Sequence, residues 1–461
     1  MRGMHTGLLM IAGVLGAVRF TSAGEPAPPP AAEADRTDVC LDRASNALKD
    51  IQLGPGTLDL GLSLRGRYEF LSDFNIKRYE TSDDDNVLLE RARLDFDYRI
   101  GEDFRAFVQI QDAHFWLSDF HVRDFEPSCP YQNPADLRQA FIEWHHIGGT
   151  PVGAKVGRQL LQYGDERVLG PGEWGNAGRY TWDAIKGLLD VEPVALDVFF
   201  ARRVECDPHH FDDEHFDFDV LGAYARIKNL PLDVDAFWVY KIDEHGRTQG
   251  ERGRPGDERR HTVGARVDGT AAERFDYGGT IAYQVGEFGQ DDIRAYGLNA
   301  RAGWTFDTAW QPRIGAEVTY ASGDHDPTDG RHETFDGVFG ACARYYGRMN
   351  LFAWKNIEDY QTGLSVTPVK GLKVSLDYHF FRLAEAKDAW YYANGKAQQR
   401  DVTGDAGDTL GHELDLLARY RLSDHLTLMG GYAHFFPGPF VRDTGSGEDA
   451  DWFFLQFDLS L

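Results

Sequence analysis

Beyond residue 18 the chain has no apolar run long enough to form a membrane-spanning helix. An α-helical membrane protein is therefore excluded, and any membrane form has to be a closed barrel. Cysteine is scarce: Cys40, Cys129, Cys206 and Cys342 are the four in 461 residues. Their spacing is no small disulfide framework and does not fix a pairing. Positive charge is in deficit, with 48 Lys and Arg against 74 Asp and Glu and a formal charge of −26. That argues against nucleic acid as a partner, because phosphate binding needs clustered Lys and Arg. No phosphate-cradling loop or zinc signature is present. Gly-x-Ser-x-Gly is missing too; "DTGSGED" (443–449) imitates it but has no strand-to-helix elbow. The cluster "CDPHHFDDEHFD" (206–217) matches no closed metal site, and "DHDPTDGRHE" (324–333) misses the Ca²⁺-loop spacing. The expectation is a protein without metal or cofactor that is not an enzyme.

What the chain does have is turns and strand formers: 50 glycines and 13% aromatic residues. Arg2 followed by the apolar stretch Leu8 to Val18 and the small residues Thr21-Ser22-Ala23 reads as a secretory signal, residues 1–23. Residues 24–56 begin as a Pro/Ala linker, with a short helix expected between Thr37 and Asp50. Export permits disulfides, and a bridge between Cys129 and Cys206, both in long polar segments, is one open pairing.

From residue 57 to 461 the polarity alternates. In "VLLERARLDFDYRI" (87–100), Arg91, Arg93, Asp95, Asp97 and Arg99 share one parity, and Leu88, Ala92, Leu94, Phe96 and Tyr98 share the other. Successive side chains of a strand point to opposite faces, so one face is charged and the other apolar. About eighteen such segments run from near 57–69 to near 451–461. Their connections alternate in length. "GED", "NLP" and "SDH" are short, whereas 117–135, 164–183, 243–258, 322–356 and 383–410 are long and polar. The fold class expected is an all-β transmembrane antiparallel barrel, with short turns facing the periplasm and long loops outside. Its lipid-facing parity would meet outer-membrane lipid and lipopolysaccharide.

A barrel of this size is wide enough for a water-filled bore, in which lining charges need no dry pairing. Parity places Arg91, Arg93, Arg99, Lys155, Arg203, Arg226, Lys241, Arg266, Arg301, Arg313, Lys373, Arg419 and Arg421 inside. It places Asp95, Asp97, Glu143, Asp197, Asp233, Asp235, Asp268, Glu317, Asp377, Glu413 and Asp415 there too, close to neutrality. As a set these charges define what passes.

The segment "VGRQLLQYGDERVLGPGEWGNAGRYTWDA" (156–184) carries the most specific pattern. Arg158-Gln159 leads into Tyr163-Gly164-Asp165-Glu166-Arg167, then Trp174-Gly175-Asn176, then Arg179 to Asp183. With "DLRQAFIEW" (136–144) and "YASGDHDPTDGRHETFD" (320–336), it resembles the alginate-export family of outer-membrane porins over about residues 57–461. That resemblance implies a monomeric eighteen-stranded barrel that exports a polyuronate through an arginine-rich constriction, beside a periplasmic scaffold protein. An anionic polysaccharide is then the expected substrate, with a general or small-solute porin of the same fold as the alternative. Loop 164–183 is expected to fold over the pore as a constriction, or to be held rigid by pairing among Asp165, Arg167 and Arg179.

Overall fold

The computed structural model describes residues 40–80, 84–125, 129–341 and 345–461. The signal segment, the Pro/Ala stretch, the start of the expected helix and Cys342 lie outside the described residues. Eighteen long strands close into an antiparallel barrel. In chain order they are β1 Gly56–Ser72, β2 Asp85–Ile100, β3 Phe104–Trp116, β4 Asn133–Trp144, β5 Val152–Gln159, β6 Thr181–Val191, β7 Val194–Glu205, β8 Asp213–Ile227, β9 Asp233–Gln249, β10 Pro255–Ala271, β11 Phe275–Gly289, β12 Asp291–Thr305, β13 Arg313–Ala321, β14 Ile357–Val369, β15 Leu372–Arg382, β16 Thr409–Arg421, β17 Leu426–Pro437 and β18 Ala450–Ser460. Each pairs with its sequence neighbour, and β1 closes on β18 from Ser63↔Ser460 to Ser72↔Asp451. Closure leaves no unpaired edge among these strands, which is what a bilayer demands of backbone groups.

The alternating parity is realised as expected on the outer face. Leu94, Phe96, Ile142, Leu364 and Leu455 are exposed, and Ile185 and Ile281 are each 60% exposed. Such an apolar band meets lipid, not water. A helix at 40–47 packs on the short-turn rim, where His425 Nε2 lies 3.0 Å from Asp42 Oδ1. Ile51–Leu53 then pairs with Gly56–Leu58, so the end of the expected linker belongs to the sheet. Among the described residues no helix is long and apolar enough to cross a membrane.

Two expectations need correction. The connection at 243–258 is not a long loop: β9 and β10 extend beyond the polar alternation and leave only 250–254 between them. The bore is also not simply wet. Loops 160–180, 322–356 and 383–408 enter the barrel and build an apolar core on its long-loop side, with Trp182, Trp354, Trp390, Phe335, Phe352, Phe381 and Phe435 among its fully buried members. The physical reason lies in the strands. Near the long-loop rim of β2 and midway along β9 the inward parity itself turns apolar, as at Val87 and Leu89 and at Phe237 and Val239, all buried. Those surfaces take loop side chains in place of water.

Candidate functional site

The site is built where charged strand residues meet the inward loop 160–180. In the register of β1 and β2, Arg65 stands opposite Arg91 and Ser63 opposite Arg93. Like charges face to face destabilise a sheet unless an anion joins them. Glu173, on the inward loop, is that anion. Its Oε2 lies 2.7 Å from Arg93 and 3.2 Å from Arg91, and its Oε1 lies 3.0 Å from Arg138 on β4. The same turn offers carbonyls: Arg65 donates to Glu173 O and Gly175 O, each at 2.9 Å, and Arg67 to Trp174 O at 2.9 Å. The Arg67 guanidinium also lies 4.1 Å over the Trp174 ring. Burial opposes ionisation, yet Arg93, Arg138 and Arg91 hold the Glu173 carboxyl well below the usual carboxylate range. Asn176 pins the turn: its Nδ2 reaches the carbonyls of Glu90, His114 and Tyr131 at 2.8–3.0 Å.

The rest of the motif divides by role. Arg158 makes a bidentate pair with Asp183 on the next strand, at 2.9 and 3.0 Å. Gln159 is fully buried and donates to the carbonyls of Gly157 and Ala184. Tyr163 donates to Asp197 at 2.7 Å and stacks on Tyr224 at 4.4 Å between ring centroids. Glu166 accepts from Gln162 at 2.7 Å. Arg167, with a fully buried side chain, pairs with Asp165 at 3.2 Å and with Glu317 across the bore, and lies 3.8 Å over Tyr345. Loop 160–180 therefore enters the lumen and binds two walls. Its ends fall at 160 and 180, so Thr181–Asp183 belong to β6 and not to the loop. The expected three-way pairing also needs correction: Asp165 and Arg167 pair, but Arg179 donates to Ala393 O of loop 383–408 at 3.0 Å.

Behind this plug lies a cavity of about 230 Å³. Arg179, Arg203, Lys241, Arg260 and Lys355 line it against the single lining carboxylate Asp336, together with the rings of Tyr180, Phe218, Phe339 and Trp354. Burial opposes its ionisation, but Lys355, Arg260 and Lys241 hold the Asp336 carboxyl low. Arg203 lies 5.4 Å over Tyr180, and its Nε has no hydrogen-bond partner among the described residues. A smaller cavity of about 60 Å³ shares Arg179 and Arg203 and adds Arg138 and Cys206.

The other inward charges are not gathered here. Arg266 pairs with Asp235 at 3.0 Å, Arg301 with Asp268, and Arg313 with Asp276 at 2.6 Å. Lys155 sits 3.6 Å over Phe141. Towards the short-turn rim, Arg99 pairs with Asp97 at 2.6 Å and Arg421 with Asp424 at 2.8 Å, while Lys373 and Arg419 are exposed. Parity reasoning missed Arg65, Arg67, Arg138 and Arg260, which are all buried and inward. A signal was present for Arg260, which shares the parity of Arg266, and for Arg138, which lies in "DLRQAFIEW"; no inward parity was assigned in 57–69. The expectation that lining charges need no dry pairing fails on this side, because the loops have displaced the water. The open Cys129–Cys206 pairing is not formed: both thiols are free, and Cys206 donates to Gln132 O at 3.3 Å.

A closed barrel with a lipid-facing apolar band, short turns on one rim and charged residues inside defines an outer-membrane channel. The sequence profile of the family described as "Alginate export" matches residues 57–453, and the chain belongs to that family. Its place is the bacterial outer membrane. Solved structures share the fold. OccK11 (OpdR) of Pseudomonas aeruginosa is 15% identical, with 88% of this chain and 96% of that one covered and a TM-score of 0.54. OpdQ of Pseudomonas aeruginosa is 13% identical, with 88% and 98% covered and a TM-score of 0.57. OccAB2 of Acinetobacter baumannii is 11% identical, with 88% and 98% covered and a TM-score of 0.56. No curated protein matches the chain. Family and fold together point to a channel and not to an enzyme.

Proposed function

We propose that this channel exports an anionic exopolysaccharide of the polyuronate class. The observation that carries the reading is the cavity behind loop 160–180. There, five cationic side chains and four aromatic rings line the space with Asp336, and Glu258 behind the lining pairs with Lys241 and Arg260, which leaves the cationic side chains in excess. A uronate unit presents one carboxylate and the apolar C–H face of a sugar ring. Guanidinium groups take the first by charge-assisted hydrogen bonds, and aromatic faces take the second by stacking. Contacts of this kind are individually weak and spread along the path, so a chain is held without being trapped. Acidic outer loops such as "SGEDAD" (446–451) repel a polyanion approaching from outside, which favours outward movement. The barrel works as a monomer in this reading. A periplasmic scaffold protein delivers the chain to the short-turn rim, beside the helix at 40–47.

Planar-bilayer recording tests it. Oligouronates should block the current from the periplasmic side, and neutral glucans of equal length should not. Reversal potentials in a KCl gradient should report anion preference. Equal block by the neutral sugar, or cation preference, would replace this reading with a general small-solute porin.

A further inference from the structure

The wall of β1, β2 and β4 beneath loop 160–180 carries Arg65, Arg67, Arg91, Arg93 and Arg138. Arg65 and Arg91 stand directly opposite each other in the sheet. Nothing on the wall itself neutralises this group in full: Glu69 serves Arg67, and Gln111, which is uncharged, serves Arg93. Asp458 of β18 stands opposite Arg65 in the sheet, and the charge of Arg91, Arg93 and Arg138 is met by a carboxylate of the inward loop, Glu173, which the three share. Even with that carboxylate in place, donors are left over. Arg65 Nε, Arg93 Nη2 and Arg138 Nε are buried and have no hydrogen-bond acceptor among the described residues. Guanidinium groups present their donors in a fixed planar fork that fits carboxylates, and buried donors without acceptors are costly. The wall holds more anion-binding capacity than the loop supplies.

We propose that Glu173 is a displaceable internal ligand: its carboxylate occupies a three-arginine site that a carboxylate of the transported chain takes over, and its departure frees loop 160–180 to open the path. This rests on the polyuronate reading above. The competition is asymmetric. A tethered carboxylate acts at an effective concentration in the millimolar range or above, so a single dilute carboxylate competes poorly. A polymer brings many carboxylates linked together and engages the three-arginine site and the cavity behind it at once. The device thus keeps the path shut to small anions and opens it to a polyanion.

The test uses the full-length protein in planar bilayers. Glu173→Gln keeps the shape and removes the charge, Glu173→Asp keeps the charge and shortens the reach, and Asp405→Asn on an exposed outer loop is the control. Resistance of the folded barrel to detergent at room temperature, seen as a gel shift, verifies folding of each. Glu173→Gln should raise chloride conductance in dilute salt by roughly twofold or more and lower the oligouronate concentration needed for half-block. Glu173→Asp should fall between it and the native protein, and the control should match the native protein. Native conductance and half-block in Glu173→Gln, with oligouronates still blocking, overturns the internal ligand and leaves the polyuronate reading standing. A raised conductance with no oligouronate block in any variant supports the latch but overturns the polymer as its key. Should Glu173→Gln fail to fold, unchanged conductance in Glu173→Asp overturns the proposal by itself.

Discussion

Two like-charge pairs face each other across neighbouring strands, and they have opposite fates. Arg65 and Arg91 stand opposite on β1 and β2, Lys373 and Arg419 on β15 and β16. The first pair lies under loop 160–180, largely removed from water, and is satisfied by Glu173 and by loop carbonyls. The second is exposed near the short-turn rim. Locally the two are alike: basic residues of inward parity on adjacent strands. What separates them is a loop that begins about a hundred residues beyond Arg65 in the chain. Water screens the rim pair at little cost, whereas the inner pair needs a fixed counter-anion. The inner half of the bore therefore behaves as a protein interior and the rim as a surface.

The largest effect expected from this contrast is at Arg167, whose fully buried side chain joins Asp165 to Glu317 across the lumen. Replacing it by Ala leaves Glu317 without its cation, while Asp165 keeps Arg301 at 3.5 Å. Removing one member of a buried ion pair costs about 3–5 kcal/mol. Loop 160–180 should become sensitive to protease at temperatures where the native loop resists, with the barrel still closed. A loop as resistant as the native one would show that the inner charges are solvated like those of the rim.

Next in size is Asn176→Ala. It removes donors from the three carbonyls of Glu90, His114 and Tyr131. A buried group left unsatisfied costs about 1–3 kcal/mol. The same protease assay should rank this variant between Arg167→Ala and the native protein. A larger loss than at Arg167 would mean that backbone satisfaction, and not charge pairing, docks the loop.

These two residues also mark how far the sequence could be read. The strands were legible because period-two alternation is written into each segment. About eighteen segments were expected and eighteen long strands form; 87–100 lies within β2, and 451–461 matches β18 to within a residue. The motif in 156–184 was legible as a constriction. Its partners were not. Glu173 meets Arg91 and Arg93 some eighty residues back and Arg138 on another strand, and no local rule joins them. The inward core was half-legible: both Leu88 and Leu89 are apolar, and a strand apolar on both parities is covered on both faces. The overlong loop at 243–258 failed for a different reason, since strands that project beyond the membrane carry polar residues on both faces and lose the alternation that marks them.

A third prediction separates the regions by pH. Burial, then Glu251 and Asp388, push the Asp324 carboxyl up to about 8 in the outer loops, and Glu333 adds to the effect. A carboxyl whose folded value is raised binds its proton more tightly in the folded state. The stabilisation it lends is full below about pH 4 and is lost as pH rises through about 8. Glu173 has the opposite sign. Its contact is stable above the ordinary carboxylate range and is lost only in strong acid. A fluorophore on Thr328→Cys, near Asp324, should therefore report loosening between pH 6 and 9, while one on Gln162→Cys should not. A shared transition at both positions would mean that the loops move as one body.

The smallest effect is expected at the rim, and it closes the comparison from the other side. Lys373 and Arg419 are exposed and face each other with like charge, so removing one relieves a weak repulsion and breaks no buried pair. Lys373→Ala should change barrel stability by no more than about 0.5 kcal/mol in either direction. The same change should shift reversal potential towards cations in dilute salt, because an exposed charge near a narrow mouth biases which ions enter. The shift should fade towards 1 M salt, where the screening length drops to about 3 Å, from about 10 Å at 0.1 M. A selectivity shift that survives high salt would place Lys373 in a dry part of the path. The boundary between interior and surface would then lie at the periplasmic mouth, and the inner arginines and the rim would be one continuous binding surface.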